Sequence, residues 1–115
     1  MLDDLWIANL GLRRRYPHGV APLQIIARLA EECGELSAEV QRWENVGTKR
    51  AKLGEPDRAA LAKEVMDVMR AALSVAEYYG VEAELGATLR RGIAASLRDG
   101  LISEAEAASA GPAER

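Results

Sequence analysis

Two short acidic runs hold most of the chemistry this chain could do: Glu31-Glu32-Cys33-Gly34-Glu35 and Glu64-Val65-Met66-Asp67. Glu32 and Glu35 stand three residues apart, as do Glu64 and Asp67, and residues at that spacing share one face of an α-helix. Two such helices packed side by side would bring the four carboxylates together. Converging carboxylates repel one another unless a cation neutralises them, and hard oxygen ligands suit Mg²⁺, Mn²⁺ or Ca²⁺. The ordinary alternative is a solvated flank, since Glu is a good helix former. A solvated flank expects Lys or Arg four residues downstream. Leu36, Glu39, Val68 and Ala71 stand there instead, behind Glu32, Glu35, Glu64 and Asp67 in turn. Arg28 and Lys63, four residues upstream of Glu32 and Asp67, give partial relief. Like charge on two matching flanks favours a cation site.

The elements that must position these groups read as helices. Aromatics make up 4% of the chain and Phe is absent, and an Ala/Leu/Glu/Arg-rich composition is biased towards helix. A first helix is expected over Leu2 to Arg13, with Leu2, Leu5, Trp6, Ile7, Leu10 and Leu12 apolar, broken by Tyr16-Pro17-His18-Gly19. Arg13-Arg14-Arg15 suits the C-terminal end of its dipole. Pro22 opens a second helix that runs to Trp43 or Glu44, with a stripe of Ile26, Leu29, Cys33, Leu36, Val40 and Trp43. Asn45 to Pro56, broken by Gly47 and Gly54, reads as a loop. Asp57 caps the next helix, whose stripe is Leu61, Val65, Val68, Ala72, Val75 and Tyr79, and Gly80 ends it. A further helix spans Val81 to Arg98, and Ser103 with Glu106 fits a capping box for a short last helix. With about 100° per residue, Glu32 and Glu64 fall roughly 60° from their stripe centres, Glu35 and Asp67 about 120° to the same side. The expectation is an all-α antiparallel bundle of four to five helices, completed by dimerisation: one domain over 1–110 and a frayed tail at 111–115.

At 115 residues with 18 acidic and 15 basic side chains, the chain is one small domain with net charge -3, which does not suggest a dedicated nucleic-acid binder. Cys33 is the only cysteine, so no intrachain disulfide forms and a reducing, cytoplasmic location is expected. No apolar run approaches a bilayer-spanning length, and no signal core opens the chain.

The pair Glu31-Glu32-Cys33-Gly34-Glu35-Leu36 and Glu64-Val65-Met66-Asp67 resembles the EExxE…ExxD signature of MazG-type nucleoside triphosphate pyrophosphohydrolases. These belong to the all-α NTP pyrophosphatase superfamily, with dimeric dUTPases and phosphoribosyl-ATP pyrophosphatases. The resemblance covers Pro22 to Arg98. It implies a helical homodimer or dimer of dimers. It also implies Mg²⁺-dependent cleavage between the α and β phosphates of a nucleoside triphosphate, with Mn²⁺ as a substitute metal. By motif position Glu32, Glu35, Glu64 and Asp67 match the metal ligands, and Glu31 the first motif glutamate that helps position or deprotonate the attacking water; read from the residues themselves, Glu35 or Glu31 is the base. Family members often carry Lys and Asn in the helix after ExxD. Here that region reads Leu89-Arg90-Arg91-Gly92-Ile93-Ala94-Ala95, and Arg90 or Arg91 can substitute because arginine binds phosphate bidentately.

Other residues carry weaker signals. Trp43 reads first as core or dimer packing and second as a nucleobase platform. Lys49, Arg50 and Lys52 read first as a solvated loop and second as a phosphate lid. Cys33 reads as apolar packing, His18 as ordinary surface, and Met66, Met69, Tyr78 and Tyr79 as core or subunit interface. Two competing functions stand beside the hydrolase: a phosphoribosyl-ATP pyrophosphatase, and a catalytically silent helical module that oligomerises through its apolar stripes. A di-iron bundle is disfavoured because Glu-x-x-His motifs are absent.

Overall fold

A computed structural model of the chain describes residues 2–18 and 21–109. Gly19, residue 110 and the tail expected at 111–115 lie outside the described residues. The protein is all-α. Six helices run in the order α1 (Leu2–Arg15), α2 (Pro22–Glu44), α3 (Lys49–Leu53), α4 (Arg58–Tyr79), α5 (Glu82–Arg98) and α6 (Glu104–Ala108), and no strand occurs among the described residues.

The helix ends follow local chemistry. Pro22 sits in the first turn of α2, where a missing N–H leaves nothing unpaired. Asp57 accepts from the Ala59 amide at 3.0 Å and starts α4. Gly80 takes the left-handed conformation (φ 65°) that ends α4, and Asn45 does the same for α2 at φ 53°. Ser103 and Glu106 form the reciprocal capping box of α6.

The expected loop from Asn45 to Pro56 contains a helical turn, α3. Lys49 to Leu53 are mostly good helix formers, and arginines tie the turn to α2. Arg50 donates to the carbonyls of Arg42 and Trp43 at 3.0 and 2.9 Å, adding a side-chain donor at the end of α2, where the Arg42 carbonyl also accepts the Asn45 N–H. Arg42 returns a bond to the Leu53 carbonyl at 3.0 Å. Arg50 is therefore a helix cap.

Packing centres on α4. It lies along α2, carries α1 on a second side, and meets α5 near its C-terminal end; α3 packs on α2, and α6 on α5. The buried apolar residues are Leu5, Ile25, Ala71, Leu73 and Ala76. Of the expected stripes, Leu29, Leu36 and Trp43 on α2 and Leu61, Val68 and Val75 on α4 are half-buried. Ile26, Cys33 and Val40 on α2, and Val65, Ala72 and Tyr79 on α4, are exposed. Ile7, Met66 and Tyr78 are exposed too, so Cys33, Met66, Tyr78 and Tyr79 do not form core in the single chain. α1 lies against α4, where Asn9 donates to the Arg70 carbonyl and to Ser74 Oγ. Extents of 46 × 38 × 20 Å describe a slab about two helix diameters thick. The radius of gyration is 17.1 Å, against about 13 Å for a compact domain of this length.

Candidate metal centre

The two acidic runs meet where α2 and α4 pack. Glu32 and Glu35 project from one helix, Glu64 and Asp67 from the other, and one oxygen of each lies within 4.8 Å of the others. Burial differs among them. Glu35 is exposed, Glu32 and Glu64 are half-buried, and Asp67 is 8% exposed. The sequence reading places Asp67 further out than Glu64, and the structure reverses this. Arg70, Ala71 and Ser74 follow Asp67 on the side of α4 that α1 covers, so Asp67 is drawn in with them.

The four carboxylates are not equally satisfied. Asp67 is held by Lys63 Nζ at 2.8 Å and Arg70 Nη2 at 2.7 Å. Glu64 has only Lys63, at 3.7 Å. Glu32 Oε2 and Glu64 Oε2 are shielded from water and have no hydrogen-bond partner. Burial, then the neighbouring Glu35, Asp67 and Glu64 carboxylates, push the Glu32 carboxyl above its ordinary value. Burial raises Glu64 as well; Lys63 opposes the shift, and Glu35 and Asp67 reinforce it. The hydrogen bond and charge of Asp67 raise the Lys63 ammonium.

A protein can relieve such a site by protonating the carboxyls or by admitting a cation. The donor set fits the second course. Oxygen-only ligands match a hard divalent ion.

A cavity of ≈ 270 Å³ opens beside the carboxylates, and Tyr16, Arg28, Glu32, Lys63, Asp67 and Arg70 are among its walls. Cations and carboxylates thus face one space. The other sequence candidates lie elsewhere. Glu31 is exposed and outside the four-carboxylate cluster. Arg90 and Arg91 are exposed on α5, which packs only on α4 and α6, and Arg91 bonds Thr88 Oγ1 at 3.0 Å. Trp43 is half-buried at the end of α2, about 12 Å of helix axis past Glu35. Lys49 is half-buried in α3. Within one chain, none of Arg90, Arg91, Lys49 or Trp43 joins the cavity wall.

The sequence offers Arg28 only as a charge partner for Glu32, and gives no role to Arg70 or Asn9. Arg70 stands three residues after Asp67, a helical pairing distance that a four-residue search skips. Asn9 interrupts the α1 line of Leu5 and Leu12 at helical spacing, and a polar residue on an apolar line was the available signal. No family model, no curated protein and no solved structure matches the chain.

Proposed function

We propose that this protein is a nucleoside triphosphate pyrophosphohydrolase that works with Mg²⁺, or Mn²⁺, and releases a nucleoside monophosphate and pyrophosphate. One observation carries the reading. Carboxylate oxygens from two helices converge within 4.8 Å, and two of the carboxylates each keep an oxygen out of water without a donor.

Glu32, Glu35, Glu64 and Asp67 would hold the metal. When bound, the ion supplies charge neutralisation for the phosphoryl oxygens and a lowered pKa for water. The chain's own residues supply the rest. Arg28 and Arg70 in the adjoining cavity meet phosphate oxygens in place of the remote Arg90 and Arg91. Lys63, mostly exposed, can swing from Asp67 to a phosphate. Glu35, the most accessible carboxylate of the cluster, takes the proton of the attacking water.

The hydrolase works as a homodimer or dimer of dimers. Ile26, Val40 and Val65, bare on the helices that carry the site, offer apolar surface to a second copy. The second copy completes the antiparallel bundle. A competing reading, the silent oligomerisation module, draws on the same bare surface and on the two cations that already satisfy Asp67. Pyrophosphate release from a panel of NTPs and dNTPs, with and without Mg²⁺, separates the two. Phosphoribosyl-ATP in the panel tests the superfamily alternative. Metal-dependent release supports the hydrolase, and no release from any substrate sinks it.

A further inference from the structure

The arginine run that closes α1 divides its tasks. Arg13 pairs with the Glu77 carboxylate of α4. The Arg15 side chain is exposed and forms no ion pair or hydrogen bond among the described residues. It stands in the wall of a cavity of ≈ 340 Å³, with Gly11, Leu12, Tyr16 and Arg70. Helical spacing brings it there: Arg15 follows Gly11 by four residues and Leu12 by three, so the three share one side of α1. A favourable helix dipole explains an arginine in the last turn, and Arg13 and Arg14 serve it equally. It does not explain why Arg15 shares a cavity with Arg70.

Three of these wall residues, Leu12, Tyr16 and Arg70, also line the cavity beside the carboxylates. Arg70 is the link. Its Nη2 donates to Asp67 Oδ1 at 2.7 Å, and Asp67 belongs to the converged carboxylates. The charge of these walls is opposite to that of the chain, which carries 18 acidic and 15 basic side chains. The two cavities together present Arg15, Arg28, Lys63 and Arg70 against Glu32 and Asp67. Around the cavity of Arg15 the charged wall residues, among the described residues, are Arg15 and Arg70 alone. Cations gathered on one cavity attract an anion, and guanidinium forks match phosphate oxygens in pairs. The volume lies within the roughly 300–1,000 Å³ of small-molecule sites.

We propose that Arg15 and Arg70 form a subsite for the phosphates beyond the scissile bond, so that the protein holds a diphosphate group better than a single phosphate. This deepens the hydrolase reading and rests on it for the direction in which a substrate lies, with the α-phosphate at the carboxylates and the β and γ phosphates on the two arginines. Selection of triphosphates over diphosphates follows, because a diphosphate leaves Arg15 without an anion. Capture of the anion itself needs neither metal nor turnover.

The test is calorimetric titration of the intact protein with inorganic pyrophosphate and with orthophosphate, without metal, so that the arginines alone are probed. Arg15→Gln removes an exposed side chain, and thermal melting checks that the fold holds. Arg14→Gln removes the same charge one residue away, from a side chain in neither cavity wall. Pyrophosphate binds the wild type about tenfold more tightly than orthophosphate, and Arg15→Gln weakens pyrophosphate about tenfold while Arg14→Gln leaves it unchanged. Equal losses in the two variants show a diffuse attraction and overturn the subsite, as does pyrophosphate binding no tighter than orthophosphate. Absence of turnover on every nucleotide in the separate assay overturns the hydrolase and leaves an anion site at Arg15 standing.

Discussion

Where α2 meets α4, the protein puts charge inside: Glu39, Arg42 and Asp67 are buried, and Glu32 and Glu64 each shield one oxygen. In α5 and α6 no residue is buried; Leu89 and Ile93 on α5 are bare, as is Leu101 in the turn between the two helices. The two regions invert the usual distribution of polar and apolar side chains. Buried charges cost more than the apolar groups that could replace them unless each is paired or used. Bare apolar surface of this extent marks a contact still to be made. The first region is the proposed metal site, and the second is a proposed contact surface between copies.

The largest effect should come from the site. Glu35→Ala or Glu64→Ala should lower pyrophosphate release by about 10³-fold, the several kcal/mol a bound metal contributes, with helicity by circular dichroism unchanged. Full activity in both variants would remove these residues from the mechanism. At the interface, Leu89→Glu with Ile93→Glu should convert the assembly to monomer in light scattering while the far-ultraviolet spectrum holds. A wild-type monomer at micromolar concentration would instead deny the interface.

Within the site, Asp67 and Glu32 should behave oppositely in chelated protein. Asp67→Ala strands Lys63 and Arg70 and should destabilise by about 1–3 kcal/mol in urea. Glu32→Gln removes a charge that burial and the neighbouring carboxylates disfavour, and should stabilise the protein at neutral pH. The pH dependence follows from the raised Glu32 carboxyl. The folded state holds that proton longer than the unfolded chain, so wild-type stability relative to Glu32→Gln falls as pH climbs from the ordinary value of 4.5 through the raised one. Below that window the two proteins should converge. A gap that stays constant from acid to neutral pH would mean that Glu32 titrates normally. The smallest effect belongs to the arm: Ser103→Ala should fray α6 by about 1 kcal/mol, read as faster amide exchange there and nowhere else.

The helices were largely readable because their signals are local. Asp57, Gly80 and the Ser103/Glu106 pair act within a turn of themselves, and each sits where its chemistry requires. The convergence of the carboxylates was readable because spacing of three places both members of a pair on one side. What could not be read was rotation about each helix axis. Alternate members of the α2 and α4 stripes, Ile26, Val40 and Val65 among them, are exposed while Asp67 and Ala71 are buried, and which side of a helix is covered depends on long-range contacts with no local signature. Arg50 was missed as a cap for the same reason: its partners are carbonyls of another helix, which no side-chain pattern reveals.

The account turns on whether the converged carboxylates take a divalent ion. Calorimetric titration of the chelated protein with Mg²⁺ at neutral pH measures this directly. Saturable binding in the wild type, lost in Glu32→Gln/Glu64→Gln while the variant stays folded, is the predicted result. Identical titrations of the two proteins would contradict it.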